Sequence, residues 1–432
     1  MTQLSPHLNE GVRRREVFGW AMYDFANSGY TTVVLTAVFN AYFVGVVAGG
    51  ADWGTLAWTS ALALSSLLVM LLMPAIGAYA DLRAAKKRLL VLATLGCVAS
   101  TTVLAWTGPG TLWLAVTAVV LSNFFFAVGE SLIAAFLPEL ARPAALGRVS
   151  GWGWSFGYFG GMLTLGLGLG YVLWAQAQGQ TAAQFVPVTM LLTAGVYAAA
   201  CLPTFLLLRE RAIPQRSGGA IGVAASLSRL LATWREARRF EDFAWLMACA
   251  VAYQAGISVV VALAAVYAAE VLGFKQTETM LLVFLVNIAA AAGAFAFGNW
   301  QDRLGHRRAL ALTLGGWIVM TLLAVAATGP GLFWAAAVMA GLCMGSSQSA
   351  GRAMAGLLAP PDRMAEFFGL WTFAVRLSAI VGPLTYGLVT WVTGGNHRLA
   401  ILATGLFFVR GLVLLRHVDV ERGARRARSA AA

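Results

Sequence analysis

Apolar runs of about 20 residues or more recur along the whole chain, separated by shorter polar stretches. A helix of that length crosses the hydrocarbon layer of a bilayer and satisfies its backbone hydrogen bonds internally, as lipid requires. The sequence therefore predicts an all-α membrane protein with twelve transmembrane helices. We place the spans at residues 18–47, 55–80, 88–107, 111–137, 150–175, 186–208, 243–270, 278–300, 308–328, 331–358, 366–393 and 398–416.

The composition fits a chain that lies mostly in lipid. Of the 432 residues, 59% are hydrophobic and 11% are charged, whereas a soluble domain has roughly 25% charged residues. The four cysteines stand alone inside apolar runs, and the four histidines lie in termini or connections. We therefore expect no metal site, no cofactor and no enzymatic centre. A Walker-type phosphate loop is also absent, which argues against an ATP-driven pump.

The positive charges collect on one side of the predicted spans. The formal net charge is +12, and nearly all 30 Lys and Arg residues fall in the N-terminus, the even-to-odd connections and the C-terminal tail. The opposite side has only Lys275 and Arg398. Because basic connections stay in the cytoplasm, we predict a multi-pass protein of the inner (plasma) membrane with both termini cytoplasmic. We expect contact with anionic lipid headgroups, no nucleic-acid partner, and a monomer.

Polar side chains in the first span share one helical face. Asp24, Asn27 and Thr31 are separated by three and four residues, the spacing of one face of a helix. A carboxylate inside a membrane helix costs roughly 2.5–3.5 kcal/mol, so it usually faces a bundle interior or a wet cavity. We interpret this face as one wall of a solute pathway. Asp24 is also the preferred proton-coupling residue, because burial and a nearby arginine act on a carboxyl group in opposite directions.

Two halves of the chain repeat each other. The motif Gly77-x-x-x-Asp81 ends the second span, and Gly298-x-x-x-Asp302 ends the eighth span 221 positions later. Pro138 recurs as Pro360 at nearly the same offset. Matched features over this distance predict two pseudo-symmetric six-helix bundles.

The repeat also sets the predicted domain boundaries. In chain order we expect an N-terminus (1–17), a first bundle (18–209), a cytoplasmic linker (210–242), a second bundle (243–416) and a basic tail (417–432). Within the linker, residues 223–240 have the spacing of an amphipathic helix that lies on the membrane surface. A solvated tether between the bundles is the alternative.

The loop after the eighth span resembles the signature loop of the major facilitator superfamily. It continues from Asp302 with arginine, leucine, glycine, histidine and two arginines. Glycines permit close helix approach, and the aspartate can face the positive N-terminus of a neighbouring helix. The first copy has leucine after Asp81 and lacks the second glycine, which predicts a weaker latch. The resemblance implies a conformational latch formed by Gly77, Asp81, Arg83, Gly298, Asp302, Arg303 and Arg307.

Three further stretches resemble one branch of this superfamily. They are Trp20-x-x-Tyr23-Asp24-Phe25-Ala26-Asn27-Ser28, Leu137-Pro138-Glu139 and Glu366-Phe367-Phe368-Gly369-Leu370. Together they are similar to the vacuole-effluxer branch, which is linked to autophagy in fungi and is common in bacteria. The resemblance covers essentially the whole chain and implies the major facilitator fold. In fungi the branch implies export of amino acids, so an amino acid is the first solute we expect.

The resemblance also implies that spans 1, 4, 7 and 10 line a central cavity, with spans 2, 5, 8 and 11 beside them. Amides in these spans can bond a polar solute or join helices, and the tryptophans near glycine-rich stretches can pack or stack on solute. Besides the face of the first span, the pathway candidates are Asn123, Glu130, Gln254, Gln348, Arg352 and Arg376, and the tryptophans are Trp152, Trp154 and Trp371.

The repeat relates two of these charges. Glu130 and Arg352 lie 222 positions apart, so we hypothesise that they form an ion pair of an inner gate. A pair between Glu130 and Arg83 is the alternative. Arg376 keeps its charge and suits either a solute carboxylate or a structural salt bridge to Asp24 or Glu130.

These features predict a secondary active transporter that moves a small polar or zwitterionic solute by alternating access, with protons as the candidate coupling ion. Three alternatives stay open. They are a drug or metabolite exporter of the same fold, a sensor that has lost transport, and a relative that flips lipid.

Overall fold

The structure, a computed structural model, describes residues 6–51, 53–214, 240–274 and 276–430. Within these ranges twelve helices are long and apolar enough to cross a membrane, which confirms the predicted fold. Each predicted span lies on one observed helix, and the ends differ by at most four residues. The helices are α1 (Arg14–Val47), α2 (Gly54–Arg83), α3 (Lys86–Val103), α4 (Leu112–Ala134), α5 (Leu146–Ala177), α6 (Ala182–Leu207), α7 (Glu241–Leu272), α8 (Gln276–Leu304), α9 (His306–Ala326), α10 (Pro330–Leu358), α11 (Met364–Val392) and α12 (His397–Leu415).

Helices α1–α6 form the N-terminal half and α7–α12 form the C-terminal half. Because six helices in each half return the chain to the side where it began, the start of α1 and the end of α12 lie at one end of the protein. We call this the terminal end. Between the halves, α5 packs along α8 and α2 packs along α11.

Glycines let the two halves approach closely near the terminal end. A Cβ atom on Gly298 of α8 would lie 2.9 Å from the carbonyl oxygen of Gly147 in α5. A Cβ atom on Gly77 of α2 would collide with the carbonyl oxygen of Ala365 in α11. Small residues provide this close backbone contact between membrane helices. The halves therefore touch through their backbones at this end.

Helix α1 changes character along its length. It is a regular α-helix over Arg14–Tyr30 and then contains the π-helical turns Thr31–Ala37 and Phe43–Val47. The hydroxyl group of Thr31 donates to the backbone carbonyl of Asn27 at 3.0 Å, which stabilises the junction. Single π turns in helices are frequent at functional sites. The polar face of α1 thus begins on the regular part and ends where the irregular part starts.

The C-terminal segment, expected as a basic tail, forms a further helix, α13 (Val420–Ser429). Arg422 donates two hydrogen bonds, of 2.9 and 2.7 Å, to the buried carboxylate of Asp242 at the start of α7. This contact joins two distant segments, so the charge-rich sequence of the tail did not reveal it. The amphipathic helix predicted at residues 223–240 falls, except for its last residue, outside the described residues.

Candidate functional site

Two predicted pathway residues form an ion pair between the halves. Arg352 on α10 donates from Nη1 to Oδ2 of Asp24 on α1 at 2.7 Å. Both residues are buried, with 6% and 8% of their surfaces exposed. Removing two charges from water costs several kcal/mol per ion, so such a pair needs good geometry and further hydrogen bonds. The contact ties α10 of one half to α1 of the other.

Helix α5 and two aromatic rings hold the remainder of the Arg352 guanidinium. Its Nε donates to the Ser150 hydroxyl at 3.1 Å, and its Nη2 donates to the Ser150 carbonyl at 2.8 Å. The guanidinium carbon lies 4.8 Å from the ring centroid of Trp20 and 5.2 Å from that of Trp154. These distances fall within the range of cation–π attraction. All of these partners belong to the N-terminal half.

A second charged contact joins α11 to α4. Nη2 of Arg376 lies 3.4 Å from Oε2 of Glu130, and the guanidinium lies 5.8 Å from the ring centroid of Phe126. The Glu130 side chain is 42% exposed, although it lies in a membrane-spanning helix and faces the other half. The Glu130 carboxylate is therefore not fully enclosed at this contact between the halves. The Nε–H of Arg376 has no acceptor among the described residues, so this guanidinium keeps an unused donor.

The predicted pair between Glu130 and Arg352 is wrong for this structure. Glu130 contacts Arg376, and Arg352 is bound to Asp24. The alternative partner Arg83 is exposed at the end of α2, whereas the alternative pair of Arg376 with Glu130 is present. Symmetry mates need not face each other. Because α4 lies against α11 and α10 lies against α5, each of the two charges meets a different helix.

Two tyrosines bind amides of the predicted pathway. The Tyr158 hydroxyl on α5 donates to the side-chain oxygen of Gln348 on α10, which makes another contact between the halves. The Tyr197 hydroxyl on α6 donates to Oδ1 of Asn27 at 2.8 Å. The Nδ2 group of Asn27 is buried and has no partner in the described part of the chain. Tyr197 therefore fixes the orientation of an amide that still has donors to offer.

Two of the remaining pathway candidates make hydrogen bonds within their own halves. Asn123 on α4 donates to the Ser65 hydroxyl on α2 at 3.1 Å, which is the interhelical bond left open as an alternative. Gln254 is buried on α7. The bond from Thr31 to the α1 backbone supports that helix itself. Neither of these two hydrogen bonds crosses between the halves.

Aspartates of the repeated loop cap helices of the opposite half. Asp302 at the end of α8 accepts backbone N–H bonds from Gly147 (3.0 Å) and Arg148 (3.1 Å) in the first turn of α5. Asp81 at the end of α2 accepts one from Glu366 (2.9 Å) in the first turn of α11. Each carboxylate satisfies donors that a helix start leaves unpaired and faces the positive end of the helix dipole. The two aspartates therefore connect the halves at the terminal end.

The two copies of the loop differ in their backbone as well as in their capping bonds. Gly305, just after α8, has φ 86°, and Ala84, at the matching position after α2, has φ 47°. Glycine occupies this left-handed region freely, whereas other residues pay roughly 1–2 kcal/mol. The loop arginines predicted as latch residues are exposed at the same end: Arg83, Arg303 and Arg307.

The chemistry of the site is electrostatic. Its charged groups are two arginines and two carboxylates, surrounded by indole rings, phenols and amides. In the described part of the chain, no group of three or more His, Cys, Asp or Glu side chains is placed to hold a metal ion. The arrangement can bind charged groups of either sign and can exchange ion-pair partners if the halves move.

Sequence reasoning missed Ser150 and did not assign Trp20 or Trp154 to the Arg352 contact. A signal was available, because Trp20 precedes Asp24 by four residues and Trp154 follows Ser150 by four. Residues at this spacing lie on one helical face. The sequence alone did not indicate that an arginine from the other half enters between the two helices.

The fold is that of the major facilitator superfamily. Solved structures of this superfamily resemble the chain over nearly its whole length. The human organic anion transporter MFSD10 (TETRAN) superposes with a TM-score of 0.73 at 17% identity, covering 93% of this chain and 99% of that one. FucP, in its outward conformation, superposes with a TM-score of 0.67 at 14% identity, covering 94% and 97%. At such identities the likeness shows the fold alone.

The chain belongs to the vacuole effluxer Atg22-like family, whose model matches residues 57–428. This confirms the resemblance found in the sequence. The uncharacterized MFS-type transporter YxiO of Bacillus subtilis is 24% identical over 408 residues, covering 93% of this chain and 94% of that protein. Autophagy-related protein 22 of Cryptococcus neoformans is 28% identical over 180 residues, covering 38% of this chain and 33% of that protein.

Proposed function

We propose that this protein is a secondary active transporter that moves a small polar or zwitterionic solute by alternating access. The observation that carries the proposal is the pair of charged contacts between the halves, Arg352 with Asp24 and Arg376 with Glu130. Ionisable groups inside membrane spans are costly and mark solute or ion pathways. An amino acid is the first solute to test, because the vacuole-effluxer branch implies it and the site has groups for both of its charges.

The proposal includes a conformation and an orientation. We propose a plasma-membrane protein whose bundles, residues 18–209 and 243–416, rock about the cavity, joined by the linker 210–242. The basic connections support placing both termini in the cytoplasm. The backbone contacts and capping aspartates then close the cytoplasmic side, and the exposed Glu130 faces a cavity open to the outside.

We assign a different role to each of the two charged contacts. Arg376 and Glu130 form a long, partly exposed pair with an unused donor, so we assign the solute's carboxylate to Arg376 and its ammonium group to Glu130. Arg352 and Asp24 form a short, buried pair, which we assign to the inner gate. This assignment replaces the gate between Glu130 and Arg352.

Proton coupling is assigned to Asp24. When the gate opens, Asp24 loses Arg352 and becomes hydrated, which is the change of surroundings that lets a carboxyl group take or release a proton. Solute flux in liposomes should then respond to an imposed pH gradient, and the D24N variant should lose this response. If solute flux does not depend on the pH gradient, the proposal of proton coupling is wrong, but the proposal of a transporter still holds.

A stability screen followed by flux measurements tests the function. Amino acids, peptides, sugars and nucleosides are added singly to purified protein, and the solute that raises Tm is then labelled for flux in proteoliposomes. We expect an amino acid to raise Tm, and R376A and E130Q to abolish both the shift and the flux. Stabilisation by apolar organic ions alone favours the drug-exporter alternative. Movement of labelled lipid without solute flux favours the lipid-flipping alternative, and a Tm shift without any flux favours a sensor.

A further inference from the structure

Arg352 occupies a cage built by the other half of the protein. We define the arginine cage as Trp20 and Asp24 of α1 with Ser150 and Trp154 of α5. It offers the guanidinium one carboxylate oxygen at 2.7 Å, one hydroxyl at 3.1 Å, one carbonyl at 2.8 Å and two indole faces. A carboxylate combined with aromatic faces is the arrangement with which proteins recognise organic cations.

The backbone of α5 leaves space for this cage. Gly153 lies between Ser150 and Trp154 in the sequence, and a Cβ atom there would collide with Oδ2 of Asp24 and approach the Trp20 ring to 2.6 Å. Only glycine allows α5 to approach α1 this closely without a shift of the Asp24 carboxylate or the Trp20 ring. The cage is thus shaped by backbone as well as by side chains, and its walls are preformed in the N-terminal half alone.

One group in the cage is not used by its present occupant. The indole N–H of Trp154 is buried and has no hydrogen-bond partner among the described residues. Arginine has five N–H donors and no acceptor, so Arg352 cannot accept a bond from this indole. A ligand that carries both a cationic group and an acceptor atom would satisfy the indole as well as the carboxylate. Such a ligand would use a donor that the arginine side chain leaves unpaired.

The cage and its occupant belong to different halves. Any movement that draws α10 away from α1 and α5 at the terminal end removes Arg352 and leaves the Asp24 carboxylate without its partner. An unpaired buried charge is strongly unfavourable, so the emptied cage favours a replacement cation.

We propose that the emptied arginine cage is a second binding site, specific for an organic cation with an ammonium or guanidinium group and an adjacent acceptor, which enters from the terminal end. The proposal rests on the alternating access proposed above. The ligand and Arg352 compete for the same walls, so the ligand favours the state that is open at the terminal end. The arginine thus acts as a built-in competitor that empties the site when the terminal end closes.

Removal of the built-in competitor gives the first test. In purified full-length R352A, millimolar guanidinium chloride should raise Tm by about 2–4 °C over equal sodium chloride, because it refills the cage. The double variant D24N/R352A should show no such rise. R398A is the matched control and should show no such rise, since Arg398 lies outside the cage and donates to the backbone carbonyls of Val325 and Ala327. Equal guanidinium responses in R352A and D24N/R352A, or no response in either, would overturn the proposal.

The indole of Trp154 gives a second readout. Glycine betaine, a quaternary ammonium ion with a carboxylate, is titrated against R352A and against R352A/W154F, in which the ring stays and the N–H is lost. We expect affinity to fall by about 5-fold, the effect of one hydrogen bond, while guanidinium binding changes little. An unchanged betaine affinity contradicts the role assigned to the indole N–H.

The wild-type protein keeps the proposal testable if R352A does not fold. Glycine betaine should speed hydrogen exchange of the α5 amides capped by Asp302, because it favours opening of the terminal end, and D24N should abolish this effect. No change in exchange in the wild type counts against the cage. Flux assays separate the two proposals. Cage binding without any solute flux contradicts the transport proposal but not the cage, and solute flux without cage binding contradicts the cage but not the transport proposal.

Discussion

Asp81 and Asp302 make the same type of bond in opposite directions across the molecule. Asp81 of the N-terminal half caps the first turn of α11 at 2.9 Å, and Asp302 of the C-terminal half caps the first turn of α5 at 3.0 and 3.1 Å. The two residues are symmetry mates of one repeated motif. Each half therefore holds a helix start of the other, and both contacts must break if the terminal end opens.

We predict that D81A and D302A each open the end they cap. Loss of a helix-capping side chain costs about 0.5–2 kcal/mol, and here the lost bond joins the two halves. Hydrogen exchange should accelerate at Glu366 in D81A and at Gly147 and Arg148 in D302A. Because opening separates both contacts, each variant should also speed exchange at the other cap. Exchange rates that match the wild type at both caps contradict a closing role for these aspartates.

The buried gate pair should show strong coupling in a double-mutant cycle. D24N leaves Arg352 buried without its anion and should lower the free energy of unfolding by about 3–5 kcal/mol. The double variant D24N/R352Q removes both charges and should lose less than D24N alone. Reversible unfolding in mixed detergent micelles measures these differences. If the double variant loses as much as the sum of the single variants, the two charges do not interact as the geometry indicates.

The partly exposed pair of Glu130 and Arg376 should contribute little to stability, unlike the buried gate pair. Because the Glu130 side chain is 42% exposed and its contact with Arg376 is long, E130Q should change stability by only about 0–1 kcal/mol. Solute flux should nevertheless fall at least tenfold in E130Q and in R376A if these groups bind the solute. R376K, which keeps the charge but not the planar fork, should recover part of the flux. Normal flux in both E130Q and R376A removes this pair from the pathway.

Glycines at the interface should tolerate alanine much less than glycines that face open space. In G77A the new methyl group would meet the carbonyl oxygen of Ala365, so the variant should be destabilised or shifted toward opening at the terminal end. Gly195 on α6 is the matched control, since nothing lies within 4 Å of its added Cβ atom. G195A should raise stability by about 0.5–1 kcal/mol, the usual gain from replacing a helical glycine. The measurement is the change in Tm of each variant relative to the wild type. Equal changes in G77A and G195A contradict close packing at Gly77.

Exchanging the residues at the two matching turns should have opposite effects. Ala84 has φ 47° and Gly305 has φ 86°, both in the left-handed region. A84G should therefore raise the free energy of unfolding by up to about 1–2 kcal/mol, and G305A should lower it by a similar amount. Thermal unfolding of both variants provides the measurement. A loss of stability in A84G shows that the turn after α2 is not strained.

Much of the architecture was accessible from the sequence. Hydropathy located all twelve spans to within four residues at each end. The thickness of the hydrocarbon layer sets the length of apolar sequence that a spanning helix needs, and this length can be counted along the chain. The repeated Gly-x-x-x-Asp motif indicated two related halves, and its aspartates do face helix starts. The family was recognised from short motifs in both halves and is confirmed by the match over residues 57–428.

The partners of the buried charges were decided only in three dimensions. The sequence identified Asp24, Glu130, Arg352 and Arg376 as a set, and it paired Glu130 with the wrong arginine. Position in a repeat determines depth in the membrane, whereas pairing depends on how each helix is rotated and which helix of the other half lies opposite. The same reason explains the arginine cage, since α1 and α5 form its walls and α10 fills it. Local pattern determined which residues lie in the membrane, and packing between distant helices determined which of them meet.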